Sequence, residues 1–120
     1  MGSYLWMRKF FLAFGLLCFT SLLFAHAILV TSEPASGQSL QGPDLNIKLR
    51  FNSRIDVKRS RIALVASGGE HRAVTPDEQT SPDTLSSHVQ GLRSGAYLLQ
   101  WQVLAVDGHI SRGEVPFTVR

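Results

Sequence analysis

AYLLQWQVLAV, residues 96–106, places Tyr97, Leu99, Trp101, Val103 and Ala105 at alternate positions. A period of two sustained over such a run is the mark of a β-strand with one buried face, and no helical spacing competes with it. Trp101 is the only tryptophan outside the first 25 residues and is expected to anchor the core. Downstream, DGH (107–109) breaks the run. GEVPFTVR (113–120) then returns as a final strand, with Val115, Phe117 and Val119 alternating. Pro116 has no N–H for a ladder, which predicts an edge position or a bulge there.

Upstream, NIKLRF (46–51) sets Ile47, Leu49 and Phe51 against Lys48 and Arg50, the pattern of an antiparallel strand with one wet face. RIALVAS (61–67) is a further strand, stopped by Gly68 and Gly69, and HRAVT (71–75) a weaker one, ended by Pro76. PDEQTSPD (76–83) reads as a loop, TLSSHVQ (84–90) as a short strand and GLRSG (91–95) as a turn. Six or seven short strands at close spacing, without a convincing helical stretch, predict an all-β domain: a β-sandwich or small Greek-key barrel. No internal repeat or second domain is visible.

The N-terminus has a different character. Residues 10–25, FFLAFGLLCFTSLLFA, carry no charge and follow the basic pair Arg8 and Lys9. That is the layout of a secretory signal peptide, and the run is short for a spanning helix, which needs roughly 20 apolar residues. The expected division is a signal peptide over 1–25 and one domain over 26–120. The residues alone allow a cut after Ala25, making His26 the first residue, or after Ala27, discarding it. Ala25-His26-Ala27 fits the small-x-small rule better than Leu23-Phe24-Ala25 does.

Composition narrows the chemistry. Cys18, Met1 and Met7 all precede residue 26, so the expected domain contains no sulfur. It forms no disulfide or thiolate nucleophile and offers no soft ligand for Cu(I). Its ten basic and nine acidic side chains give a formal net charge of +1, with no charge run that suggests nucleic acid. No phosphate loop, nucleophile elbow or close carboxylate pair is present. Ser32, Ser36 and Ser39 read as loop and turn residues, and His71 and His88 as solvent-facing bystanders.

Two short stretches carry ligand chemistry. A histidine at a free N-terminus aims its α-amine and its ring Nδ1 at one point, a chelate that exists only if His26 is residue one. In VDGHI (106–110), Asp107 and His109 are two apart and would project to one side of an extended chain. A carboxylate and an imidazole added to two nitrogens make a set suited to tetragonal Cu(II). DGH also reads as an ordinary hairpin turn, and His26 as the start of an exposed strand.

HAILVTSEPASGQSL at the start of the domain, the NIKLRF strand, and GLRSGAYLLQWQVLAVDGHISRGEVPFTV at its end together resemble the CopC/PcoC family of periplasmic copper-binding proteins. That family reads HAxLxxSxPAxG, an LxF strand, and LxxGxYxVxWxVxSxDGHxxxGxxxFxV. The resemblance covers essentially the whole domain. It implies an immunoglobulin-like Greek-key sandwich or barrel of roughly seven strands and one Cu(II) per chain bound by an N-terminal histidine brace. His26 would give its amine and Nδ1, Asp107 an oxygen and His109 an imidazole nitrogen, with the signal cut after Ala25. It further implies a periplasmic carrier or buffer that is no enzyme, and a membrane transporter of the CopD type as partner.

Two departures bear on these expectations. Some relatives carry a methionine-rich Cu(I) site, and the sulfur-free domain here predicts a Cu(II) site only. Relatives often read FSE after the LxF strand, whereas this chain reads FNSR, with Ser53 at the acidic place. Two other classes of function compete with the carrier. A copper oxygenase would share the histidine brace but needs open coordination and a broad substrate face. A metal-free immunoglobulin-like interaction module would use DGH only as a turn.

Overall fold

In the computed structural model, residues 27–120 are described. They form eight strands and no helix: β1 (Leu29–Glu33), β2 (Gln38–Leu40), β3 (Leu45–Phe51), β4 (Ile55–Ala66), β5 (His71–Val74), β6 (Thr84–Val89), β7 (Gly95–Ala105) and β8 (Ile110–Val119). One sheet has the order β1-β3-β6 and the other β2-β8-β7-β4-β5, with β2 parallel to β8 and every other pairing antiparallel. The chain crosses between the sheets from β1 to β2, β2 to β3, β3 to β4, β5 to β6 and β6 to β7, which makes a sandwich. Eight strands exceed the six or seven expected because the N-terminal segment yields two. Ser32 lies in β1 and Ser39 in β2 rather than in loops, and only Ser36 is in a turn.

The inward faces are those the alternation predicts. Ile47, Leu49 and Phe51 of β3, Leu99, Trp101, Val103 and Ala105 of β7, and Val115, Phe117 and Val119 of β8 are all buried. Phe51 meets Trp101 across the sheets edge to face, with ring centroids 5.1 Å apart at 69°, an arrangement favoured by the ring quadrupoles.

On its other side the indole lies directly on the backbone of Gly113: a Cβ there would come within 2.3 Å of Trp101 Cζ2. The added Cβ would have to displace a buried ring packed edge to face on Phe51. Gly113→Ala is therefore expected to cost about 1–3 kcal/mol of stability by overpacking. Urea unfolding of the 26–120 protein, followed by Trp101 fluorescence, measures it.

β4 is longer than the expected RIALVAS strand. Its register against β7 jumps between Asp56↔Leu104 and Arg61↔Gln102, so Val57–Ser60 bulge out of the ladder. Ser60 Oγ donates to Asp56 O at 2.6 Å, and Lys58 N–H donates to Asp56 Oδ1 at 3.0 Å, closing the bulge on itself. Pro116 lies where Gly37 N–H donates to its carbonyl at 2.7 Å, just before β2 begins pairing at Gln38↔Phe117. β8 lies between β2 and β7 and its register on β7 is unbroken, so Pro116 is neither on an edge strand nor at a bulge; the missing donor is tolerated because β2 pairs only from Phe117 on.

Candidate metal centre

β7 and β8 are joined by the four residues 106–109, with Ala105 and His109 closing a three-residue turn. Ala105 N–H donates to His109 O and Gly108 N–H to Ala105 O, each at 2.9 Å. Gly108 has φ 89°, the left-handed conformation that closes a three-residue hairpin and that other residues rarely adopt.

Asp107 and His109 do meet, but not as neighbours on an extended strand. Asp107 sits within the loop and its Oδ1 accepts the His109 backbone N–H at 3.1 Å. Its Oδ2 lies 3.1 Å from His109 Nδ1. The turn folds the carboxylate back over the residue two positions on, as Asp commonly does in turns. Both side chains are about half exposed, 53% for His109 and 43% for Asp107. The His109 backbone N–H is the main cause that holds the Asp107 carboxyl below its ordinary pKa, partly offset by desolvation and helped by the imidazole. The carboxylate is thus ionised at neutral pH.

A second segment, Asn52–Arg54, packs against this hairpin. Arg54 O accepts Val106 N–H at 3.3 Å. Asn52 N–H donates to Ile28 O at 3.0 Å, and Ile28 N–H donates to Asn52 Oδ1 at 2.8 Å. Ser53, at the place where relatives often have an acid, is half-buried and donates to Arg54 O at 3.4 Å. It brings no charge to the centre.

The segment is held at both ends by the turn before β6. Phe51 N–H donates to Asp83 O and Ile55 N–H to Pro82 O, each at 2.9 Å. That turn is in turn tied by the Asp83 carboxylate, which accepts Thr84 Oγ1–H at 2.8 Å and Ser81 Oγ–H at 3.0 Å. These two bonds, Thr84 first, lower the Asp83 pKa. A group lowered by folding stabilises the fold above its unfolded pKa and loses that contribution as pH falls through the folded value. Asp83→Asn is therefore expected to be less stable than wild type at pH 7 and to show a flatter decline below about pH 4. Melting temperatures from pH 7 to pH 2 check the sign.

His71 and His88 are exposed and remote, as expected. His71 pairs with Val65, which also pairs with Leu98. Leu98 is seven residues along β7 from Ala105 at the hairpin, about 23 Å at 3.3 Å per residue. His88 pairs with Asn46 in the other sheet. Among the described residues no group of three or more His, Cys, Asp or Glu side chains could hold a metal ion. Asp107 and His109 bring one carboxylate oxygen and one ring nitrogen together. His26, the third expected ligand, lies outside the described residues, as do the signal peptide and both candidate cleavage points.

The CopC domain model matches residues 29–120. The chain belongs to the CopC family. Its strands, its DGH hairpin and its FNSR segment all fall within the matched range.

Among solved structures, CopC from Methylosinus trichosporium OB3b superposes with a TM-score of 0.71 at 30% identity, covering 78% of this chain and 93% of that one. PcoC, a methionine-rich copper resistance protein from Escherichia coli, gives 0.67 at 24% identity, covering 80% and 100%, and supports the fold. Among curated relatives, protein YobA of Escherichia coli K12 is 26% identical over 104 residues, 84% of each chain. Copper transport protein CutJ of Bacillus subtilis is 26% identical over 102 residues, 80% of this chain but 18% of that protein.

Proposed function

We propose that this CopC-family chain is an exported Cu(II)-binding protein, a carrier or buffer that takes one Cu(II) at the end of the sandwich formed by its N-terminus and the β7–β8 hairpin. In this reading the signal is cut after Ala25, and His26 gives its α-amine and Nδ1, Asp107 an oxygen and His109 an imidazole nitrogen. The periplasm is the compartment, and a CopD-type membrane transporter is the partner.

The observation that carries the reading is the Asp107–His109 pair. Two cis ligands at about 2.0 Å from a tetragonal metal stand about 2.8 Å apart, and the carboxylate and ring nitrogen here are 3.1 Å apart. A metal exchanges one N–H···O contact for two bonds with little movement. Reach favours the rest of the set. Ile28 and Val106 are both bonded to the Asn52–Arg54 segment, and the two residues from Ile28 back to His26 span at most about 7 Å. Three nitrogens and a carboxylate fill a tetragonal plane, which suits holding copper over activating a substrate on it.

The decisive experiment is intact mass and N-terminal sequence of the protein exported by its own signal, followed by Cu(II) titration under electron paramagnetic resonance. The expected result is a chain beginning at His26 with one tetragonal Cu(II) and nitrogen couplings. A chain beginning at Ile28 would remove the chelate and favour a metal-free interaction module.

A further inference from the structure

The register of β1 against β3 ends at Leu29↔Phe51. Beyond that pair a chain end has no ladder partner and ordinarily frays. Here it does not simply run out. The side chain of Asn52 takes the place of the missing strand residue: Oδ1 accepts Ile28 N–H at 2.8 Å while its own backbone N–H bonds Ile28 O at 3.0 Å. Ile28 is thus gripped on both of its backbone groups by one residue. Its side chain contributes nothing to the grip, being 61% exposed. Ala27, the next residue toward the start, is buried at 5% exposure.

We infer that Asn52 is a positioning residue for the metal centre: it holds the backbone two residues from His26 at a set place relative to the hairpin that carries Asp107 and His109. This rests on the copper reading above. The same three-residue segment hands Arg54 O to Val106 N–H, so one short stretch ties the N-terminal side of the centre to its hairpin side. The segment is itself clamped at Phe51 and Ile55 by the Pro82–Asp83 carbonyls, so it transmits position rather than yielding. A chelating amine and imidazole fixed near the other two donors bind as one unit. The same groups on a fraying end must be ordered at each binding event, which weakens them.

The placement of Asn52 also bears on Ser53. With no acid at that position, Asn52 and Ser53 contribute geometry to the centre and no charge. Asn52 is suited to this because an amide oxygen accepts an N–H without adding a negative group beside the metal.

The test compares wild type, Asn52→Ala and Asn52→Asp in the 26–120 protein. Two readouts are used: Cu(II) affinity by competition with a chelator of known strength, and amide hydrogen exchange of the metal-free protein. Asn52→Ala is expected to bind Cu(II) about 10-fold more weakly, the scale of a partner that orients a ligand. It should exchange Ile28 N–H much faster, with exchange at Leu99 and Leu85 in the core unchanged. Asn52→Asp keeps the acceptor and should restore slow exchange at Ile28. Faster exchange throughout the core of Asn52→Ala would mark a general loss of stability and overturn the inference. So would an affinity equal to that of wild type. Wild-type protein that binds no Cu(II) would overturn the copper reading itself, and is told apart because it fails before any variant is compared.

Discussion

Asp107→Ala and His109→Ala are each expected to weaken Cu(II) binding by more than about 100-fold, beyond the 10–100-fold typical of residues that only orient a ligand. His71→Ala and His88→Ala should leave it unchanged. The two hairpin side chains are the donors that the described part of the chain brings together, and they are mutually engaged, Oδ2 to Nδ1 at 3.1 Å. Under the proposed ligand set, removing either one takes away a metal bond and also frees its neighbour to turn elsewhere. Neither side chain is part of the core, since both are about half exposed, so the fold should survive. Isothermal titration in a competing chelator, with melting temperature as the control, reads the two effects separately. Hairpin variants that bind like wild type would return DGH to the status of a plain turn.

The second large effect concerns the chain start. Acetylating the α-amine of His26 is expected to weaken Cu(II) by more than about 100-fold as well, because it breaks the chelate while leaving the imidazole, the core and the hairpin as they were. The resonance spectrum should lose a nitrogen coupling. The comparison isolates the amine in a way that His26→Ala does not, since that change keeps the amine and removes the ring. Unchanged affinity after acetylation would mean that copper, if bound, is held without the brace.

The strands were legible in the sequence wherever one sheet face is wet. NIKLRF, AYLLQWQVLAV and GEVPFTVR alternate because each has one face on the core, and the buried residues are those the alternation selects. The first half of β4 was not legible. Val57–Ser60 interrupt the period because three more residues lie between Asp56 and Arg61 than between their β7 partners, and a bulge leaves no compositional mark. β1 and β2 were missed as separate strands because they are short and mostly exposed.

At the candidate site, the ligand types of Asp107 and His109 could be read from DGH, but the way they meet could not. On an extended chain the two would project side by side, whereas the turn brings them together by a hydrogen bond from the His109 backbone. The role of Asn52 left no sequence signal at all, because its partner is 24 residues away.

The Asn52–Arg54 segment, bonded on one side to Ile28 and on the other to Val106, also imposes an order of events. Under the proposed ligand set the first residue of the domain, a loop in its middle and one of the last hairpins to be translated must all be present and folded together. No copper site exists on the nascent chain or on one still threading through the membrane. Under the same proposal the amine becomes available only once the leader has been removed. On that reading export, cutting and folding finish before the metal arrives, and the ion held is one met after export rather than one carried out.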